Sequence, residues 1–382
     1  MRQYSLTEDQ LALQETVRRL ARERVAARAG EIDETAEYPQ DMFDLLKRAE
    51  LFGLIFSEEL GGSGGGVLAG CIAVEELGRV CYNTAYLLVV QWGPTGAIMS
   101  AGTESQKRRY LGGLARGDLR GAISVTEPSG GSDVAGLTTR AVRDGDDYVI
   151  DGQKIFCTNG AVADFVVVAA RTGPSAGARG ISAFIVDRDT PGFRIGRAEH
   201  KLGGRGVPSN QLFFDGARVP ASQMLGQGND GFKAVMSAFN RTRPIIGSRG
   251  VGLAQGAMDL AVDYAKGRVA FGQPIAQYQG LRWMIADMAI QIEAARQLVY
   301  RSAAAIDAGE PAKTIAPLAA MAKCFASDVA MKVAVDAVQV FGAYGVSKDY
   351  PIERFMRDAK LLQIVEGTNQ IQRNIVANAV LS

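Results

Sequence analysis

Histidine is almost absent from this 382-residue chain, which carries only His200. A Ser-His-Asp or Cys-His mechanism would have to pass through it, yet Arg197, Glu199 and Lys201 around it mark a polar surface connector. Cysteine is scarce as well. Cys71, Cys81, Cys157 and Cys324 are scattered without a CxxC pair, and with one histidine they cannot assemble the usual zinc ligand set. No metal centre is expected, and the dispersed thiols suit a reducing, cytoplasmic setting. An excess of charge is also missing: 42 Lys and Arg against 41 Asp and Glu leave +1, too little to hold a nucleic acid or an anionic membrane. The start of the sequence reaches charged residues before any apolar stretch of signal-peptide length, so no export signal is expected. The one uncharged stretch, 80–103, is broken by Gln91-Trp92-Gly93-Pro94 and predicts two buried helices, not membrane insertion. There is no GxxxxGK phosphate loop. The stretch 226–231 spells GxGxxG, but it follows a proline-containing loop instead of a strand and predicts a turn into a helix.

What is present is apolar and ordered. Hydrophobic residues make up 47% of the chain and charged ones 22%, enough for two or three folded cores. Thr7-Glu8-Asp9-Gln10 is a capping-box pattern followed by Leu13, Val17 and Leu20 at helical spacing. Helical stretches over 41–49, 67–80 and 104–114, interrupted by the glycine-rich run 61–66, predict an all-α region over 1–120. The period then changes. Residues 140–150, turning at Asp144-Gly145-Asp146-Asp147, read as a hairpin, and short β-branched runs at 165–170, 182–186 and 212–214 predict a small antiparallel β domain over 121–230. From 231 to 382 long alanine-rich segments predict a helix bundle; 316–340 carries charge only at Lys323, Asp328, Lys332 and Asp336, a narrow polar stripe on a helix whose remaining surface must be covered.

An enzyme without histidine, metal or nucleotide loop delegates hard chemistry to a cofactor and keeps a carboxylate for proton transfer. Glu366 is such a carboxylate. It ends the apolar run 361–365 and precedes Gly367-Thr368, where the helical pattern breaks. Burial there would raise its pKa and its basicity, although on this segment alone a solvent-facing helix-end glutamate competes with that reading.

Four separated motifs decide between the two: 125–133 (Val-Thr-Glu-Pro-Ser-Gly-Gly-Ser-Asp), 154–160 (Lys-Ile-Phe-Cys-Thr-Asn-Gly), 268–275 (Arg-Val-Ala-Phe-Gly-Gln-Pro-Ile) and 339–373, which holds Tyr350-Pro351, Met356-Arg357-Asp358-Ala359-Lys360 and Glu366-Gly367-Thr368. In order and spacing they resemble the acyl-CoA dehydrogenase family over essentially the whole chain. The resemblance implies a helical N-terminal domain, a middle β domain and a C-terminal four-helix bundle, with FAD between the last two. It implies that Glu366 takes the α-proton of an acyl-CoA thioester while hydride passes from the β-carbon to flavin N5, giving the trans-2-enoyl-CoA. Thr126 and Ser132 match positions at the flavin ring and substrate side, and Phe156 and Thr158 a pair beside the isoalloxazine. Arg268, Phe271, Gln279 and Gln339 match positions that hold the FAD pyrophosphate and adenosine part, in the family from a neighbouring subunit; an arginine fork suits phosphate oxygens. Thr368 and Gln370 match a further FAD-contacting pair. Asn240 and Arg243 match the segment near the CoA part, and Gly367 lets the thioester approach. Some branches carry the base at the position of Thr242, which cannot accept a proton, so Glu366 is the candidate here. The family further implies an electron-transferring flavoprotein as acceptor and a homotetramer.

Departures also appear. Val365, Ala343 and Asn378 replace a common tyrosine, glycine and arginine, Trp92 falls near the acyl end, and Thr84 stands near where glutaryl-specific members carry an arginine, which disfavours a dicarboxylic substrate. Rival readings are the same chemistry on a carrier-protein thioester, or a non-dehydrogenase flavoprotein of the same fold. Glu366 argues against the nitroalkane branch, which carries aspartate there, and against oxygenases that need no such base.

Overall fold

The computed structural model describes residues 6–173, 177–228 and 230–382. Thr7 opens α1 (Glu8–Leu20) with the expected capping box: its hydroxyl accepts from the Gln10 N–H, and its own N–H donates to the Gln10 side chain. The helical layer continues through α2 (Ala29–Thr35), α3 (Gln40–Arg48), α4 (Gly66–Gly78), α5 (Tyr82–Trp92), α6 (Thr95–Ala101), the single turn α7 (Glu104–Gln106) and α8 (Gly112–Arg116). The uncharged stretch forms α5 and α6, both largely buried. Trp92 is a core residue: it is fully buried and donates its indole N–H to the Phe52 carbonyl at 2.9 Å.

The strands are β1 (Gly121–Ser124), β2 (Arg140–Asp144), β3 (Asp147–Thr158), β4 (Phe165–Arg171), β5 (Ile181–Asp187), β6 (Phe193–Ala198), β7 (Ser209–Pro220) and β8 (Met224–Leu225). Among the described residues they form one sheet ordered β6-β7-β3-β2-β4-β5-β8, with β1 beside β4. The β2–β3 hairpin turns where expected. Most pairings are antiparallel, but β1 runs parallel to β4 and β2 meets β4 in parallel at Arg140 and Arg171, so the sheet is mixed. Alternation along β4 joins two cores: Phe165, Val167 and Ala169 face the helices, while Val166, Val168 and Ala170 pack within a second apolar layer on the other face.

The C-terminal part holds α9 (Gly231–Gly267), a small hairpin of β9 (Val269–Ala270) and β10 (Gln273–Pro274), then α10 (Gln279–Asp307), α11 (Ala312–Phe341), α12 (Ile352–Leu362) and α13 (Asn369–Leu381). Helices α9, α10 and α11 pack together, and α12–α13 close a four-helix bundle. Helix α4 lies against α9 at backbone contact. A Cβ at Gly252 would stand 2.1 Å from the Glu75 carbonyl oxygen, and one at Gly256 2.0 Å from that of Arg79. Helix α11 is covered mainly by its own chain, with Phe325 and Val335 partly outward. Lys323 does not sit on a solvent stripe: it is fully buried.

No helix among the described residues is long and apolar enough to cross a membrane. No group of three or more His, Cys, Asp or Glu among them could hold a metal ion. All four cysteines are free and buried, and His200 is exposed.

Candidate active site

Glu366 lies in the turn between α12 and α13, in the left-handed backbone region at φ +55°, next to Gly367 at φ +89°. A glutamate resists that conformation, so the turn must be held from outside. Several buried groups hold it. Lys323 on α11 donates to the Gly367 carbonyl and to Asn369 Oδ1, each at 2.9 Å, and Gln372 on α13 donates to the Glu366 and Gly367 carbonyls at 3.1 and 2.9 Å. A side chain at Gly367 would be strained by its φ and would put its Cβ 2.7 Å from Gln372 Nε2, displacing the amide that holds the turn. Thr368 caps α13, its hydroxyl accepting from the Ile371 N–H at 3.4 Å, and Gln370 beside it is exposed.

The Glu366 side chain points at α9. Thr242 donates its hydroxyl to Glu366 Oε2, and Arg243, next along, donates to Asn240 Oδ1 at 2.9 Å while its Nε has no hydrogen-bond partner among the described residues. Desolvation by burial raises the Glu366 pKa above the usual carboxylate value, against the pull of the Thr242 hydroxyl and of the Arg243, Arg249 and Lys323 charges. Burial likewise pushes the Lys323 ammonium down to about 8. Residues 350–360 explain themselves nearby. Arg357 on α12 bonds Asp33 of α2 at 2.5 and 3.0 Å and Glu353 at 2.6 and 2.8 Å, and Asp358 accepts from the Gly204 N–H at 2.7 Å. These contacts lock α12, and with it the Glu366 turn, to the helical layer and the β connector.

The β domain presents the second group. Phe156 is 56% exposed and at φ +53°, where a register shift between Lys154 and Cys157 bulges β3. Thr158 is half-buried between Ser209 and Tyr86, its hydroxyl 3.1 Å from Ser209 Oγ and 3.5 Å from Tyr86 Oη. Thr126 is half-buried, its carbonyl accepting from the Ile155 N–H at 2.9 Å, and Ser132 is exposed. The two motifs are pinned by a fully buried ion pair, Lys154 Nζ to Glu127 Oε1 at 2.8 Å. Burial alone would raise the Glu127 pKa, but Lys154 and the Thr138 and Thr139 donors bring it down to about 2. Tyr86 links this group to the first: the Arg249 guanidinium stacks on its ring at 3.9 Å and acts on Glu366.

Arg268, Phe271 and Gln279 lie apart from Glu366, around the α9–α10 connection. All three are exposed, Phe271 at 96% and φ +50°. Gln339 is exposed near the end of α11, where Phe341 stacks on Tyr264 of α9 at 4.2 Å and Arg268 lies 5.9 Å over the Tyr344 ring. Lys323 and Gln339 are 16 residues apart on α11, which is about 24 Å along a helix. One chain therefore brings Thr242, Arg243, Glu366, Gly367 and Thr368 together and leaves Arg268, Phe271, Gln279 and Gln339 as a separate exposed cluster. Sequence reading missed Lys323, Gln372, Arg249, Tyr82 and Tyr86 as site residues. An isolated lysine in an alanine-rich helix was the only local signal among them.

Three family models match the chain in order: the acyl-CoA dehydrogenase N-terminal domain over residues 7–118, the middle domain over 122–217 and the C-terminal domain over 229–381. The chain belongs to the acyl-CoA dehydrogenase family. It is 42% identical over 378 residues to a probable acyl-CoA dehydrogenase of Mycobacterium leprae, covering 99% of this chain and 97% of the relative. Identity to the cyclohexane-1-carbonyl-CoA dehydrogenase of Geobacter metallireducens is 43% over 381 residues, 99% of each chain. The solved structure of butyryl-CoA dehydrogenase from Megasphaera elsdenii superposes over 100% of both chains with a TM-score of 0.95 at 39% identity. Membership of this oxidoreductase family implies a flavin cofactor. The residues present fit one: a solvent-facing aromatic at Phe156 held in a strained bulge, Thr158 two residues on and Thr126 bonded to Ile155 beside it, and an exposed arginine near an exposed phenylalanine at the bundle end.

Proposed function

We propose that this enzyme dehydrogenates an acyl-CoA thioester between its α- and β-carbons with FAD as cofactor, Glu366 being the base that removes the α-proton. The observation that carries this reading is the Glu366 carboxylate, its pKa raised by burial, in a strained turn and hydrogen-bonded to Thr242 of the facing helix. A thioester α-carbon is too weak an acid for a solvated carboxylate. Desolvation makes Glu366 a stronger base, and the Thr242 hydroxyl orients the oxygen that does not receive the proton. Lys323 and Gln372 fix the turn so that the carboxylate meets the substrate without rearranging. Gly367 and Arg243 are assigned to the thioester and its CoA part, with Asn240 aligning the Arg243 guanidinium and Ser132 closing the substrate side.

Bound FAD would accept the hydride that leaves the β-carbon as the α-proton is lost. We assign Thr126, Ser132, Phe156, Thr158, Thr368 and Gln370 to the flavin end. Arg268, Phe271, Gln279 and Gln339 go to the phosphate and adenosine end of FAD in a neighbouring subunit, which accounts for their exposure far from Glu366. That assignment needs a second copy of the chain; a homotetramer is the proposed assembly, and exposed apolar residues on the bundle, Trp283, Ile290, Val380 and Leu381, are in keeping with an assembly. An electron-transferring flavoprotein in the cytoplasm is the proposed acceptor, and domains over 1–120, 121–230 and 231–382 are the proposed division.

Anaerobic titration with acyl-CoAs of increasing length tests the reading. Some thioesters should bleach the flavin, and Glu366→Gln should bind them while its reduction slows by about 10²–10⁴-fold. Bleaching that survives in the variant would remove Glu366 from the role. Flavin that no acyl-CoA reduces, but an acyl-carrier-protein thioester does, would move the substrate to the carrier-protein class.

A further inference from the structure

Arg249 on α9 is fully buried, and its Nε, Nη1 and Nη2 have no hydrogen-bond partner among the described residues. Its guanidinium lies over two rings of α5 that meet edge to face, 4.3 Å from the centre of Tyr82 and 3.9 Å from that of Tyr86. Ring faces attract a cation but answer none of its five N–H donors. The Tyr82 hydroxyl is buried beside it and also has no partner among the described residues. Asp358, a buried acid on the neighbouring α12, is engaged by the Gly204 N–H instead, and Lys201 adds a second cation whose ammonium is turned to the Val207 carbonyl. Buried donors in such number call for a ligand of the opposite character.

The position of Arg249 says which ligand. It lies seven residues after Thr242, two helical turns along the same face of α9. Helical side chains lean towards the N-terminus, so the guanidinium is aimed back towards Thr242 and the carboxylate of Glu366, on which its charge acts. An acyl chain whose α-carbon meets Glu366 and which extends between α9 and α5 therefore runs towards Arg249 and Tyr82.

We propose that Arg249 sets specificity at the far end of the acyl chain, and that the substrate is a short acyl-CoA ending in a carboxylate, held by the Arg249 fork with the Tyr82 hydroxyl. The inference rests on Glu366 as the base. It revises the expectation drawn from Thr84: a cation for a second carboxylate comes from α9 and not from α5. The distal carboxylate is bound and does not react, so the dehydrogenation itself is unchanged. A guanidinium is suited to this because it retains its charge when buried and offers two parallel donors to one carboxylate.

The test compares succinyl-, glutaryl- and adipyl-CoA with butyryl-, valeryl- and hexanoyl-CoA on the purified holoenzyme. Binding is read by calorimetry on Glu366→Gln, and flavin bleaching is read on the wild type. One dicarboxylic thioester should bind at least about tenfold more tightly than the monocarboxylic series. Arg249→Gln should lose that preference, and Tyr82→Phe, a milder change that keeps the ring, should lose part of it. Wild-type enzyme that is reduced by the monocarboxylic series and shows no preference for any diacid overturns the Arg249 assignment and leaves Glu366 in place. Flavin that dithionite reduces but neither series does overturns this inference, and the carrier-protein thioesters then decide whether Glu366 keeps its role.

Discussion

Thr242 and Glu366, 124 residues apart in sequence, meet through a hydrogen bond from the threonine hydroxyl to Glu366 Oε2. The bond opposes the main influence on that carboxylate. Burial raises its pKa, and Thr242, with the neighbouring cations, pulls it back towards the ionised form. The ionised form is the one that can take a proton, so the rate of flavin reduction should rise with pH through the Glu366 pKa. Thr242→Val removes a donor to the charged state, and the rising limb should move to higher pH, with rates several-fold lower on its acid side and little changed on its alkaline plateau. Stopped-flow reduction across pH checks this; a limb that stays in place would mean that the bond has no influence on the base.

The same contact makes the two positions interchangeable in space. A carboxylate placed at 242 would reach the spot that Glu366 now occupies. Glu366→Gln combined with Thr242→Glu should therefore recover reduction by roughly tenfold or more over Glu366→Gln alone. Equal rates for the single and double variants would show that the helix position cannot address the α-carbon.

Local signals carried the fold furthest. The Thr7 box, the turn at Gly145 and the broken stretch that became α5 and α6 are each decided within about ten residues by capping, turn chemistry and period. The parallel pairing of β1 with β4 was not legible, because a four-residue strand carries no mark of which partner it meets. Lys323 looked like a solvent-side charge, since the turn that covers it arrives 44 residues later. Arg249 gave no sign of burial either; only the tyrosines of α5, more than 160 residues upstream, reveal it. Glu366 itself was legible through its broken helical pattern and the motifs around it, whereas its contact with Thr242 depends on how α9 packs against the turn.

Lys323 offers a way to separate positioning from stability. Lys323→Met gives up two hydrogen bonds to the Glu366 turn, but it also removes the penalty of burying an ammonium, the penalty that brings this pKa down to about 8. The melting temperature at neutral pH should change little, while the rate of flavin reduction falls about tenfold as the turn loosens. A large loss of melting temperature with an unchanged rate in the surviving enzyme would make Lys323 a purely structural residue.

Asp358 gives the fold a pH dependence of its own. Burial pushes its pKa up from 3.8 to about 7; the Gly204 N–H and the Arg354 and Arg357 charges pull the other way, and Asp33 adds to the rise. Between those two values the folded protein holds a proton that the unfolded chain has released, so this group's contribution to stability falls as pH rises through that window. Asp358→Asn cannot titrate. Its stability relative to wild type should improve from pH 4 to pH 7, by roughly 1–4 kcal/mol in all, and level off above. Urea unfolding of both proteins across this range checks the sign. Parallel curves would place the Asp358 carboxylate outside the window, and an opposite slope would mean that Arg354 and Arg357 outweigh its burial.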